Sequence, residues 1–141
     1  MAKQIKNLKV AVIIAFFNGN KYIEEQLKSI FAQTHKNIKI FIFDDNSKNS
    51  LKKNLINLNK KNSLISIIKR GENVGYAKNF LYGIRDIHEY FDYYAFCDQD
   101  DIWKKNKIEN ALNKIIKYDK KLPILYCGRT TYFDEKCEFE L

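Results

Sequence analysis

Val10-Ala11-Val12-Ile13-Ile14-Ala15-Phe16 is an unbroken apolar run rich in β-branched residues, and Asn18-Gly19-Asn20 closes it with residues that favour a turn. A strand with one wet face alternates polar and apolar side chains, whereas a strand covered on both faces loses that alternation. The run therefore reads as a buried strand. Downstream of it, Tyr22, Ile23, Leu27, Ile30 and Phe31 recur at three- and four-residue spacing, which gathers them on one face of a helix expected to end near Thr34. Residues 38–43 form a second apolar run, closed by Asp44-Asp45-Asn46-Ser47, whose short polar side chains favour turns and helix starts. The order is strand, helix, strand.

The alternation continues to the end of the chain. Leu51, Leu55 and Leu58 mark a Lys/Asn-rich helix, residues 64–68 a strand, and residues 71–75 a loop. Phe80, Leu81, Ile84 and Ile87 mark the next helix, and residues 93–97 form a strand running into an acidic cluster. Ile108, Leu112, Ile115 and Ile116 form the inner face of one more helix, with a strand expected at 125–127 after Pro123. Residues 130–141 read as either strand or loop. Apolar runs alternating with amphipathic helices predict an α/β fold: a mostly parallel, Rossmann-like sheet flanked by helices on both faces, with right-handed crossovers.

Composition narrows the class. The 141 residues suit one domain with one core, with no internal repeat or linker, and 45% apolar residues with one proline and five glycines exclude a disordered or fibrous chain. No apolar run approaches the ~20 residues of a membrane span, and the basic N-terminus lacks a secretion signal's apolar stretch, so a cytoplasmic protein is expected. Cys97, Cys127 and Cys137 are odd in number and lack C-x-x-C spacing, which predicts free thiols. The net charge of +8, from 25 basic and 17 acidic residues, favours nucleic acid, phosphate-bearing substrates or a membrane surface. Scattered lysine pairs that merely solvate helix faces account for the same number.

Ligands of open parallel sheets bind beyond the carboxyl ends of the strands. Two of those ends carry acids. Asp98, Asp100 and Asp101 crowd three carboxylates into four residues and repel one another unless a cation is present. Mg²⁺ and Mn²⁺ take carboxylate and phosphate oxygens, so Asp98 and Asp100, alternate residues at a strand end, suit one shared ion. Asp101 would face elsewhere or cap a helix at Ile102. Asp44-Asp45-Asn46-Ser47 is either an Asx turn or a place for a base or ribose contact. Asn73-x-Gly75 with Lys78 and Asn79 combines close backbone approach, a helix start and a cation, the components of a nucleotide contact, though it also reads as a plain turn. Neither G-x-x-x-x-G-K-[ST] nor G-x-G-x-x-G occurs. His35 and His88 are isolated, and read as loop surface and helix surface.

Taken together these residues resemble the family 2 glycosyltransferases, particularly the rhamnosyltransferase-like subgroup, from Val10 to about Asp134. The carriers are the run from Val10 to Gly19, Tyr22-Ile-Glu-Glu-Gln-Leu27, Ser29-Ile-Phe-Ala-Gln-Thr34 and Phe43-Asp-Asp-Asn-Ser47. Asn73-Val-Gly75 with Asn79-Phe80, and Phe96-Cys-Asp-Gln-Asp-Asp-Ile-Trp103 with Lys107, complete the set. The resemblance implies a GT-A fold that binds a nucleoside-diphosphate sugar, of UDP or dTDP type, with Mn²⁺ or Mg²⁺ bridging the diphosphate. By position it implies that Asp45 contacts the base, that Phe17 and Asn18 line the nucleoside pocket, and that Asn73, Lys78 and Asn79 border the nucleotide. Asp98 would reach the ribose or sugar, with Asp100 as the main metal ligand. It further implies an inverting, hexosyl-type transfer to a polysaccharide or lipid-linked acceptor, with peripheral contact at the inner face of the membrane and no nucleic-acid partner.

The chain departs from the family pattern in three places. Ala15-Phe16-Phe17-Asn18 stands where Thr-x-Tyr-Asn is common, which removes two hydroxyls. Lys104-Lys105-Asn106 stands where the next helix usually opens with proline. The sequence reaches Leu141, before the family's catalytic base and acceptor half, and Asp134 and Glu135 match no family base. The expectation is a single GT-A domain over residues 1–141, incomplete at its C-terminus, with its catalytic residue unassigned. Two other classes compete: a basic nucleic-acid-binding α/β protein, which needs basic and aromatic side chains interleaved on one surface, and a nucleotidyltransferase, which would carry a Gly/Arg-rich loop where Asn18-Gly19-Asn20 stands.

Overall fold

The computed structural model describes residues 5–49, 51, 64–118 and 121–131. Seven elements follow in order: β1 (Val10–Phe16), α1 (Ile23–Phe31), β2 (Ile38–Asp44), β3 (Ile65–Lys69), α2 (Tyr76–Asp86), β4 (Tyr93–Asp98) and α3 (Lys107–Ile115). The four strands form one parallel sheet in the order β3-β2-β1-β4. The helix expected around Leu55 and Leu58 lies outside the described residues.

Two cores sandwich the sheet. Because side chains alternate along a strand, Val10, Val12, Ile14 and Phe16 of β1 meet α1 and α3 on one face, through Ile23, Leu27, Ile30, Ile108 and Leu112. Ala11 and Ile13, with Phe41 and Phe43 of β2, meet Phe80, Ile84 and Ile87 at α2 on the other. The lack of alternation in β1 thus has its expected cause. Strand progression runs one way from β1 to β3 and then reverses to reach β4. Since α1 and α2 cover opposite faces across that reversal, their crossovers share one hand. α2 lies close to the sheet at Gly83, where a Cβ would come within 2.9 Å of the Phe43 ring.

A polar row along α1 and the turn that follows it positions α3. Gln26, Ser29 and Gln33 are buried between its apolar residues. Ser29 Oγ accepts from the Trp103 amide at 3.0 Å while donating to the Gln26 carbonyl at 2.7 Å. Gln33 Nε2 donates to the Lys104 carbonyl at 2.9 Å, and Gln33 Oε1 accepts from the Ile108 amide at 3.1 Å, 75 positions away in sequence. Asn106, at the N-cap of α3, makes no side-chain capping bond, so Gln33 caps that helix from a distance.

Three expectations are corrected. Residues 125–127 form no strand, and Leu125 is 83% exposed; an apolar run becomes a strand only when an edge pairs with it. His35 is 5% exposed, with Nε2 3.0 Å from the Leu8 carbonyl, because its loop passes beneath the chain entering β1. His88 is exposed but follows α2. Leu81 lies within α2 as its spacing implies, yet it is 63% exposed. The inner face of α2 runs through Asn79, Phe80, Gly83 and Ile84, and Leu81 falls roughly 130° from its centre at 100° per residue.

Gln33→Leu should strand the Ile108 amide and the Lys104 carbonyl, at about 1–3 kcal/mol for each group. Urea unfolding followed by circular dichroism measures the loss.

Candidate functional site

Register brings three strand ends together: Phe16 lies beside Asp44, and Ala15 beside Asp98. Strand order reverses between β1 and β4, the kind of crevice where open parallel sheets bind ligands. A cleft of about 470 Å³ opens there. Ala15, Phe16 and Phe17 line it from β1, Asp45 from β2, and Asn73, Gly75, Tyr76 and Asn79 from the start of α2; Asp98, Gln99 and Asp100 complete the wall.

Asp45 is buried, and its two oxygens accept from the Val74 and Gly75 amides at 2.9 and 2.8 Å. Asn73 Nδ2 donates to the Asp45 carbonyl at 3.1 Å. Gly75 sits at φ 83° and ψ 155°, a region open in practice only to glycine. The loop entering α2 is thereby shaped around one carboxylate. Asp44 Oδ1 accepts from the Ser47 amide at 2.9 Å, Ser47 Oγ from the Asn18 amide at 2.8 Å, and Asn18 Oδ1 from the Lys48 amide at 3.1 Å. These bonds stitch the loops after β1 and β2 together. Asn18 and Asn46 hold left-handed φ of 53° and 61°, which asparagine tolerates. Asn79 is buried, donating to the Phe43 carbonyl at 2.8 Å and accepting from Arg70 Nε at 2.5 Å.

The acids after β4 are in a different state. Burial raises the pKa of Asp98 above the ordinary 3.8, and the charge of Asp100 adds to it. Burial also raises Asp101, with further contributions from Asp98 and Asp100 against an opposing pull from Lys107 and from a hydrogen bond with Trp103. Burial, then Asp101 and Asp98, push the Cys97 thiol well above its usual range, which favours the protonated thiol. The expected helix start at Ile102 is absent, since α3 begins at Lys107, and Asp101 caps nothing there. Among the described residues no group of three or more His, Cys, Asp or Glu side chains forms a ready-made metal cage. Asp98 and Asp100 are two hard-oxygen donors on a cleft wall, and Mg²⁺ or Mn²⁺ bound by one or two carboxylates plus substrate phosphate needs no more. The donor set fits such an ion.

The sequence matches the profile of Glycosyl transferase family 2 over residues 11–138. The chain belongs to that family. It is 42% identical over 110 residues to the dTDP-rhamnosyl transferase RfbG of Shigella flexneri, covering 73% of this chain and 37% of that protein. It is 36% identical over 119 residues to an uncharacterized glycosyltransferase of Rickettsia typhi, covering 84% and 36% respectively. The chain thus spans just over a third of the length of either relative. Among solved structures it resembles S. aureus TarS 1-349 in complex with UDP-GlcNAc, with a TM-score of 0.65 at 24% identity over 78% of this chain and 32% of that one. It also resembles the mannosyltransferase PcManGT from Pyrobaculum calidifontis in complex with GDP-Man and Mn2+, with a TM-score of 0.66 at 21% identity over 74% and 31%. At these identities the likeness is one of fold, and the fold is GT-A.

In this family 2 domain, six of the residues singled out for donor or metal binding line the cleft: Phe17, Asp45, Asn73, Asn79, Asp98 and Asp100. Asn18 is instead bonded into the loop junction, and Lys78 is exposed on the first turn of α2 without forming part of the wall. Two wall residues went unrecognised in the sequence. Tyr76 is 76% exposed, and its signal was an aromatic directly after Asn73-x-Gly75 and off the helix's apolar face. Gln99 was overshadowed by the acids on either side.

Asp45→Asn keeps an acceptor for only one of the two loop amides. It should cost about 1–3 kcal/mol in denaturant unfolding. The raised carboxylates give a pH signature: the folded chain holds these protons more firmly than the unfolded chain, so stability falls as pH climbs above 3.8 towards the elevated values. Asp101→Asn should therefore raise the Tm at pH 7 and bring no such gain below pH 3.8; calorimetric scans across that range are the check.

Proposed function

We propose that the cleft between β1 and β4 is the donor site of an inverting glycosyltransferase and takes a nucleoside-diphosphate sugar. The observation that carries the reading is the meeting of Asp98 and Asp100 with Phe17, Asp45 and Asn73 on one cleft at the strand-order reversal. Phe17, 45% exposed on that wall, offers an apolar face to the nucleoside. Asp45 sets the shape of the opposite wall and, with lone pairs left beyond its two amide bonds, accepts from the base. Asn73 and Asn79 border the nucleotide, and Lys78 contributes a peripheral positive charge. Asp98 and Asp100 hold Mn²⁺ or Mg²⁺, which when bound supplies Lewis-acid neutralisation of the charge on the departing diphosphate.

The crowding of Asp98 with Asp100 and Asp101 supports this role, because carboxylates kept near like charges favour a counter-ion that the donor itself brings into place. The RfbG relative acts, by its name, on a dTDP-sugar, and the TarS and PcManGT structures hold UDP-GlcNAc and GDP-Man; a nucleoside-diphosphate ligand is common to all three. Transfer with inversion is a direct displacement in which a separate carboxylate takes the proton of the acceptor hydroxyl. Asp134 and Glu135 lie outside the described residues. The acceptor is a glycan or lipid-linked sugar at the cytoplasmic face of the membrane, where a net charge of +8 favours contact with anionic headgroups. No described helix is long and apolar enough to cross a bilayer.

Calorimetry with UDP, dTDP and GDP, with and without Mn²⁺, tests the reading. One diphosphate should bind about tenfold more tightly or better with the ion, and Asp100→Ala should abolish that gain. Affinities that ignore Mn²⁺ for all three diphosphates would overturn the site.

A further inference from the structure

We infer that Gln99 is a positioning residue whose side-chain amide clasps the loop after β1 to the loop after β4, fixing the separation between the nucleoside side and the diphosphate side of the cleft. The inference rests on the donor-site reading above. Gln99 Oε1 accepts from the Phe17 amide at 2.9 Å, and Gln99 Nε2 donates to the Phe17 carbonyl at 3.3 Å, across 82 positions of sequence. One side chain thus makes both bonds that a neighbouring strand residue would make. It makes them where the β1–β4 ladder stops, one step beyond the last register pair, Ala15 and Asp98. Only a primary amide suits this two-way contact. A carboxylate would set a second acceptor against the Phe17 carbonyl, and an alkyl chain would leave both backbone groups without a partner.

Gly19 makes room for the clasp. A Cβ there would overlap Oε1 and Cδ of Gln99 and lie 2.9 Å from Nε2. Gly75 is the glycine with a left-handed φ among the described residues, so space for the Gln99 amide, rather than backbone conformation, accounts for glycine at 19. The placement carries the consequence. Gln99 stands between Asp98 and Asp100, and its partner Phe17 is the exposed aromatic of the opposite wall. A ligand with its base at Phe17 and its phosphates at Asp98 and Asp100 bridges the junction, and two half-sites held at a fixed distance bind a linked ligand far better than its separate parts. A nucleoside alone, or pyrophosphate alone, touches one side and gains nothing from the clasp.

The test uses whichever of UDP, dTDP and GDP the wild-type chain binds most tightly with Mn²⁺. Gln99→Met should weaken that diphosphate about tenfold or more, while its free nucleoside, and pyrophosphate with Mn²⁺, stay within about twofold of wild type by NMR titration. Gly19→Ala should reproduce the pattern by displacing the amide, and the double variant should bind no more weakly than Gln99→Met alone, since both changes break one contact. Faster hydrogen exchange at the Phe17 amide should accompany both. Equal losses for diphosphate, nucleoside and pyrophosphate, or additive losses in the double variant, would reduce Gln99 to a structural role and overturn the inference. Unchanged diphosphate binding in Gln99→Met overturns the clasp alone, whereas a wild-type chain that binds none of the three diphosphates overturns the donor-site reading and the clasp with it.

Discussion

The parallel hydrogen-bonded ladders on both edges of β1 set the level at which three separate chain segments leave the sheet. With Phe16 beside Asp44 and Ala15 beside Asp98, the loops after β1, β2 and β4 emerge as neighbours, one strand spacing of about 4.8 Å apart. A slip of one residue in either ladder would turn Val12 and Ile14 to the face now filled by Ala11 and Ile13, and both cores would be lost together. Two-sided burial thus holds the register, and the register in turn assembles the cleft.

Above that level, carboxylates divide by what surrounds them. Asp44 and Asp45 are buried with backbone amides on their oxygens, and they shape loops. Asp98 and Asp101 face like charges, and burial with those charges raises their pKa values, outweighing the pull of Lys107 and Trp103 on Asp101. One residue type therefore serves as mortar at the end of β2 and as a charge reservoir at the end of β4. Buried amides follow the first pattern. Gln33 caps α3 from the end of α1, and Asn79 ties α2 to the Phe43 carbonyl. The acid-bearing loop between β4 and α3 is consequently anchored at its far end, by Ser29 on Trp103 and Gln33 on Lys104, before any ligand arrives.

The four described strands begin and end within a residue of where largely apolar runs place them, and in β1 the missing alternation is the direct imprint of burial on two faces. The run at 125–127 carries the same imprint yet forms no strand. Pairing requires a free edge in the right place, a property of the partner as much as of the segment. Leu81 shows a second limit: three- and four-residue spacing marks a helix, but which arc turns inward depends on where Gly83 lets the helix approach the sheet. His35 shows a third, since a polar side chain in a loop reads as surface until the chain passing over it supplies an acceptor.

By itself the sequence determined the alternation of strands and helices, the two-sided sheet, the family, and the acids at the end of β4. Those features are local in the chain and written in spacing and residue type. The tertiary structure alone decided that Asp45 faces the Val74 and Gly75 amides, that Gln33 caps a helix 75 residues away, and that Gln99 reaches the backbone of Phe17 rather than solvent. Each is a bond between groups far apart along the chain, and only the side-by-side packing of strands, helices and loops brings such groups within hydrogen-bonding distance.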